Sequence, residues 1–183
     1  MARSSFKQLV AFLMLTPEPA IIVKGQPGSG KTDFSLLLAE AGLKYGYINK
    51  VATNIRTMDS RIRYITNLGD LKKFLKETGR KLFILDEAGI SVSSRRAMSK
   101  LNVEIGNTVK LIRKNRGKMI FIAQRERDID PVPRDLSIAT IEKNSKKHAT
   151  VVSNHIEFVR MFGDAILELT DIPPTSIKFD TYD

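Results

Sequence analysis

The segment Gly25–Thr32 satisfies the pattern G-x-x-x-x-G-K-[ST], and it carries the strongest chemical signal in the chain. Its glycines let backbone N–H groups turn inward around phosphate oxygens, where a Cβ would clash. A helix that begins at Lys31 points its positive end at the same anion. We therefore predict a triphosphate site in which the Lys31 ammonium meets the terminal phosphates and the Thr32 hydroxyl ligates Mg²⁺. The predicted binding residues are Gly25, Pro27, Gly28, Ser29, Gly30, Lys31, Thr32 and Asp33.

Two adjacent carboxylates, Asp86 and Glu87, follow the apolar run 82–85. Side chains alternate along a strand, so the two acids should have different tasks. We predict that Asp86 holds Mg²⁺ through its water shell and that Glu87 orients and deprotonates an attacking water. A base for water favours a hydrolase over a small-molecule kinase, which needs an acceptor pocket. Gln124 ends a further apolar run and is placed to bond the γ-phosphate or the water, so the predicted catalytic residues are Lys31, Glu87 and Gln124.

Short apolar runs alternate with helical patterns along the chain, which is typical of a parallel α/β sheet with helices on both faces. This is a three-layer sandwich. The predicted strands are 20–23, 51–55, 82–85 and 119–123, with a fifth strand and a hairpin from 138–141 and 151–152. The predicted helices follow Lys31 as far as Gly46, cover 70–76 and 98–115, and include a short amphipathic helix near the N-terminus.

The length of 183 residues predicts a single domain. We expect an N-terminal helix and linker at 1–19, a core at 20–160 and an extended arm at 171–183. The chain has no Cys, which favours a cytoplasmic setting. Its longest N-terminal apolar run, 9–15, is far short of the ~20 residues that span a bilayer, so no membrane span is expected. The net charge of +10 suits nucleic acid first and a membrane surface second, or reflects a solvated basic surface.

Taken together, these segments resemble the N-terminal ATPase domain of the zonula occludens toxin-like assembly proteins of filamentous phages. The resemblance covers roughly residues 20–142 and rests on the phosphate loop and on segments further along the chain: Val51-Ala52-Thr53-Asn54-Ile55, Leu85-Asp86-Glu87-Ala88, Ile122-Ala123-Gln124 and Ile129-Asp130. Those proteins belong with the wider HerA/FtsK group of DNA-pumping and virus-packaging ATPases. The phosphate loop alone is shared by many families.

The resemblance implies ATP and Mg²⁺ as the bound species and a P-loop NTPase fold of the additional-strand, catalytic-glutamate type. In that fold a strand is inserted between the phosphate-loop strand and the acidic-pair strand. It also implies a homo-oligomeric ring, usually a hexamer, in which a neighbour's Arg completes each site. The phage proteins continue into a membrane span and a further domain that this sequence lacks. We therefore expect a packaging or virion-assembly ATPase of a virus or plasmid, with viral structural proteins as further partners. The alternative is that this sequence is part of a longer chain.

Ten basic residues against two acidic ones lie between Arg95 and Arg127. Three interpretations stay open: contact with DNA phosphates, arginines that reach a neighbour's active site, or a solvated face. The candidates for the trans role are Arg56, Arg95, Arg96, Arg125 and Arg134, and those for DNA contact are Arg113, Lys114 and Arg116. The chain has no Trp and four Tyr, which favours backbone contact with double-stranded DNA over base stacking.

Two other functions compete with the motor interpretation. An AAA-type helicase-loader-like ATPase would share both ATP motifs, but it would carry a helical lid that residues 143–183 do not resemble. A nucleotide-gated DNA-binding protein would bind without hydrolysis and would have little use for Glu87 as a base.

Overall fold

The structure, a computed structural model, describes residues 3–86 and 112–180. Predictions about Glu87, Arg95 and Arg96, and most of the helix predicted at 98–115, lie outside the described residues. Within the described part, no helix is long and apolar enough to cross a membrane.

The described chain contains five α-helices and eight strands. The helices are α1 (Arg3–Leu15), α2 (Lys31–Lys44), α3 (Leu68–Lys76), α4 (Pro131–Asp135) and α5 (Ile156–Phe162). The strands are β1 (Ala20–Lys24), β2 (Lys50–Thr53), β3 (Ile62–Tyr64), β4 (Lys81–Asp86), β5 (Gly117–Ala123), β6 (Ser137–Lys143), β7 (Ala149–Val152) and β8 (Ile166–Leu169).

All eight strands form one sheet in the order β3-β2-β4-β5-β1-β6-β7-β8. The first six strands of that order are parallel, and β7 and β8 are antiparallel additions. β5 pairs with both β1 and β4, which confirms the strand inserted between the phosphate-loop strand and the Asp86 strand. Because these strands are parallel, their ends share two edges of the sheet. We call them the carboxyl edge and the amino edge.

Helices cover both faces of the sheet because the side chains of each strand alternate between two cores. On one face, Ile21 and Val23 join the buried side chains of α1 and α2. On the other face, Ala20 and Ile22 pack in the same core as Phe74 of α3. The N-terminal helix α1 buries Leu9, Val10 and Leu13 completely, which fixes the entry of the chain into β1.

The C-terminal part differs most from the sequence expectation. α4, α5 and β8 were not predicted, nor was β3 in the first half of the chain, and β8 extends the sheet beyond residue 160. Residues 171–180 form an extended segment, and this arm is fastened to the rest of the molecule. Phe179 bridges Thr57, and the Met58 N–H donates to the Lys178 carbonyl over 2.9 Å.

Candidate nucleotide-binding site

The loop between β1 and α2 is built on three glycines in the left-handed region of φ. Gly25, Gly28 and Gly30 have φ of 148°, 74° and 85°. Gly25 is also constrained by space, because a Cβ there would lie 2.5 Å from the carbonyl oxygen of Lys143. An L side chain at this position would therefore have to displace the end of β6. The motif glycines thus serve a backbone shape that other residues adopt only with strain.

The Lys31 ammonium lies across this loop. Its Nζ donates to the carbonyl oxygens of Gly25 and Gln26 over 2.9 Å and 3.0 Å. Burial lowers the pKa of Lys31, and the nearby Asp86 carboxylate opposes that shift. The loop therefore holds a partly desolvated cation beside the start of α2, where an incoming anion would gain most from it.

Thr32 and Asp86, the two predicted ligands of Mg²⁺, lie in contact in the structure. The Thr32 hydroxyl donates to Asp86 Oδ2 over 2.7 Å, and the Asp86 residue is buried. A hydroxyl and a carboxylate are hard oxygen ligands of the kind that Mg²⁺ takes in triphosphate sites. The two oxygens lie at the carboxyl edge, where β4 ends and α2 begins. The residues present thus fit a magnesium ion.

Asn54 holds the backbone of Asp86 on both sides. Asn54 Nδ2 donates to the Asp86 carbonyl and the Asp86 N–H donates to Asn54 Oδ1, each over 2.8 Å. The segment 51–55 was predicted as a strand and contributed to the family resemblance, but Asn54 was assigned no role in the site. The missed signal is an amide directly after a buried strand that pairs in parallel with the Asp86 strand.

A buried polar atom at the loop also points to a ligand. Ser29 is 7% exposed, and its Oγ has no hydrogen-bond partner among the described residues. A buried hydroxyl without a partner costs about 1–3 kcal/mol. An anion in the loop would supply the missing acceptor.

Lys143, at the end of β6, adds a second buried cation that the sequence analysis missed. The residue is 2% exposed, its Nζ lies 4.9 Å from the centre of the Phe34 ring, and it donates to the Lys146 carbonyl over 3.2 Å. Burial lowers the pKa of Lys143 to about 8, although the charge of Asp33 opposes the shift. Lys143 shares the inward phase of Ile141 along β6, and that was the available signal.

Asp33 faces the C-terminal arm. Its Oδ1 accepts from the Thr175 N–H over 3.3 Å, and burial raises its pKa. Two turns further along α2, Glu40 accepts from the Thr175 hydroxyl over 2.7 Å and from the Ser176 N–H over 3.0 Å. The arm therefore fastens to the helix that carries the phosphate loop.

Gln124 lies at the carboxyl edge between the strands that carry the loop and the acid. Its neighbour Ala123 is in register with Lys24, one residue before Gly25, and Ile122 is in register with Asp86. Gln124 is exposed, so its side chain can meet a ligand at this edge. The structure does not measure its catalytic role, which stays a prediction.

The predicted basic residues separate into two groups. Arg56, Arg125 and Arg134 follow β2, β5 and the start of α4, and the first two are exposed at the carboxyl edge. Arg113, Lys114 and Arg116 are exposed just before β5, at the amino edge. The DNA-contact candidates therefore lie at the opposite end of the strands from the phosphate loop.

Comparison with known proteins supports the fold. No family model and no curated protein sequence matches this chain. Among solved structures, the genome packaging NTPase B204 from Sulfolobus turreted icosahedral virus 2, in complex with ATP-gammaS, is similar with a TM-score of 0.55 at 12% identity, over 86% of this chain and 100% of that chain. The N-terminal domain of zonular occludens toxin from Neisseria meningitidis has a TM-score of 0.53 at 18% identity, over 86% and 95% of the two chains.

A third similar structure, EssC (ATPases 2 and 3) from Geobacillus thermodenitrificans, has a TM-score of 0.57 at 12% identity, over 86% of this chain and 37% of that chain. Identities this low establish the fold alone. The mostly parallel sheet and the loop geometry confirm the P-loop NTPase fold, and the similar structures include the zonular occludens toxin domain that the sequence analysis named.

Proposed function

We propose that this chain, which has the P-loop NTPase fold, hydrolyses ATP as a subunit of a DNA-translocating, packaging or virion-assembly motor of a virus or plasmid. The observation that carries the proposal is that Lys31, Thr32 and Asp86 lie together at the carboxyl edge of the sheet. Asn54 holds Asp86 in place by hydrogen bonding to it. The similar structures include a genome packaging NTPase in complex with ATP-gammaS, which supports the same role.

In the proposed reaction the loop amides and Lys31 bind the phosphates, and Thr32 and Asp86 would hold Mg²⁺. The ion would neutralise charge on the β- and γ-phosphates. Glu87 accepts a proton from water as the water oxygen bonds to the γ-phosphorus, and the bond from that phosphorus to the β–γ bridging oxygen breaks. Gln124 would bond the γ-phosphate or the attacking water.

The proposal includes a homo-oligomer, with a hexameric ring as the family precedent. Arg56 and Arg125 are exposed at the carboxyl edge, where they are accessible to a neighbouring subunit. Arg134 differs, because its Nε is buried and has no hydrogen-bond partner among the described residues. DNA is the proposed substrate polymer and viral structural proteins are further proposed partners. We propose a cytoplasmic location because the sequence has no Cys.

The ATPase rate, measured across protein concentration with and without double-stranded DNA, tests the motor proposal. We expect the rate per chain to rise with both, because a trans Arg contributes ~10³–10⁵-fold in other phosphoryl-transfer enzymes. Lys31→Ala serves as the control that should bind no ATP. A monomer that turns over at full rate and ignores DNA would contradict the motor and leave a plain hydrolase.

Glu87→Gln tests the chemistry itself. We expect ATP and Mg²⁺ binding to persist and hydrolysis to fall by about 10²–10⁴-fold, since the shape is kept and the base is lost. Calorimetry measures binding and single-turnover kinetics measure hydrolysis. A loss within about threefold would show that Glu87 is not the base. A wild-type chain that binds ATP, never hydrolyses it and changes its DNA affinity would favour a nucleotide-gated binding protein.

A further inference from the structure

A groove of about 500 Å³ opens at the amino edge of the sheet, away from the phosphate loop. Two segments distant in sequence form its walls: residues 76–80, which connect α3 to β4, and residues 114–116, which precede β5. Gly46 and Asn49 close one side.

Among the residues that the structure describes, the groove gathers more positive than negative charge. Lys76, Arg80, Lys114 and Arg116 line it, all four are exposed, and none forms an ion pair with another described residue. Glu77, the one acid among the described lining residues, is already paired with Lys50 and Arg63, and these bonds lower its pKa to about 2. Like charges collected in this way repel one another, so the arrangement favours an anionic partner.

Hydrogen bonds connect the backbone around these basic residues to the sheet. The Asn49 N–H donates to the Arg80 carbonyl over 2.8 Å, and Asn49 Oδ1 accepts from the Arg80 N–H over 3.3 Å. On the other wall, Lys81 Nζ donates to the Asn115 carbonyl over 2.9 Å. Arg116 has φ of 53°, a conformation that costs a non-glycine residue strain. The walls are therefore positioned by the fold.

We propose that this groove binds the phosphate backbone of double-stranded DNA. The inference rests on the proposed function, and it assigns the DNA contact to a surface that joins Lys76 and Arg80 to the predicted Lys114 and Arg116. None of the described residues that line the groove is aromatic, so they offer charges for phosphates and no platform for bases. β4 and β5 run from this groove to Asp86 and Gln124, which places DNA and ATP about 20 Å apart at opposite ends of the same strands.

The test measures the affinity of the full chain for a short fluorescent duplex across salt concentration. Each phosphate contact that is lost should reduce the slope of log K against log salt by about 0.9. We expect that reduction for Arg80→Ala, Lys114→Ala and Arg116→Ala singly, and a larger one for the triple variant. Arg160→Ala, an exposed Arg on α5 outside the groove, is the matched control and should keep the wild-type slope. Basal ATPase and thermal unfolding should match wild type apart from the small effect of Arg116.

The outcomes separate the groove from the motor. Wild-type slopes in all the groove variants, with DNA still stimulating hydrolysis, would overturn the groove and leave the motor standing. A wild-type chain that never hydrolyses ATP would overturn the proposed function, while the slopes would still decide whether the groove binds DNA. Variants that lose binding to phosphatidylcholine–phosphatidylserine vesicles and keep DNA binding would assign the groove to a membrane surface, against this proposal.

Discussion

β2 has an asparagine near each end, and the two differ in what they hold. Asn54, at the carboxyl edge, is buried and makes two hydrogen bonds of 2.8 Å to the backbone of Asp86. Asn49, at the amino edge, is exposed and its side chain accepts one bond of 3.3 Å from Arg80. The same residue type thus ties β2 to the neighbouring β4 at both ends. The buried hydrogen bonds of Asn54 fix the position of Asp86, whereas the exposed hydrogen bond of Asn49 only stabilises a loop.

The difference extends to how each edge treats an anion. At the carboxyl edge, glycine geometry, a desolvated Lys31 and a locked Asp86 define places for individual atoms. At the amino edge, exposed cations surround a groove and select a partner only by its negative charge. We therefore expect substitutions at the first edge to act on chemistry and those at the second edge to act on salt-dependent affinity.

The largest difference should appear between Asn54→Ala and Asn49→Ala. Groups that hydrogen-bond to metal ligands typically contribute about 10–100-fold in metal affinity or activity, and we expect a loss in that range for Asn54→Ala. Magnesium titration of ATP hydrolysis measures it. Asn49→Ala is the control, with less than about a twofold change, because it removes one exposed hydrogen bond. Equal losses in the two variants would remove the distinction between the edges.

A second contrast uses two buried lysines with pKa lowered to about 8, Lys143 at the carboxyl edge and Lys118 at the amino edge. Bound phosphates favour the charged form of Lys143, which loses its proton above about pH 8. ATP affinity should therefore fall as pH rises above about 8, by at most about tenfold per pH unit. Lys143→Met should lack this part of the profile. Lys118→Met should keep it, because Lys118 Nζ bonds to Thr16 and to the Glu18 carbonyl, away from the loop. Calorimetric ATP titrations across pH compare the three chains.

The same lysines give a stability prediction with a defined sign. Between about pH 8 and 10.5 the folded chain sheds these protons while the unfolded chain keeps them. The cost of burying the charged forms is present below pH 8 and is relieved as pH rises. The free energy of unfolding should therefore rise with pH in this window for wild type, less so for either Met variant. Urea titrations that show it falling for wild type and flat for the variants would contradict these shifts.

The smallest effect concerns Arg116, whose φ of 53° suits Asn better than Arg. Arg116→Asn should stabilise the fold by up to about 1 kcal/mol, which raises Tm by about 2–4 °C for a chain of this size. The same change should reduce the salt slope of DNA binding. Arg113→Asn loses a charge without relieving strain and should not raise Tm. A lower Tm for Arg116→Asn would show that the Arg side chain holds the loop in place.

The sequence predicts those parts of this fold whose signal is local. β1, β4 and β5 are apolar runs between clear breaks, and the phosphate loop is a motif of contiguous residues. β3 has three residues and β8 four, and both are mostly exposed or half-exposed, so neither shows a strong apolar pattern. The seven-residue α5 does have end signals, a His155 cap and Gly163 with φ of 83°, but these are weak in isolation.

The site residues that the sequence missed depend on tertiary neighbours. Asn54 reaches Asp86, 32 positions away, only because β2 and β4 are adjacent and parallel. Lys143 reaches the loop only because β6 lies beside β1. Neither segment alone indicates which strands will be neighbours in the sheet. The motif from Gly25 to Thr32, by contrast, can be recognised from contiguous residues.

The position of β1 between β5 and β6 has a consequence for how the protein comes into being. β1 leaves the ribosome before either of its partners, because both lie about a hundred residues further along the chain. Such distant strands pair late in folding, because closing the long loop between them costs conformational entropy. A nascent chain that has released β1 and α2 therefore has the phosphate-loop sequence without the walls that shape it. Competence for the nucleotide should arrive only when β5 and β6 have left the ribosome.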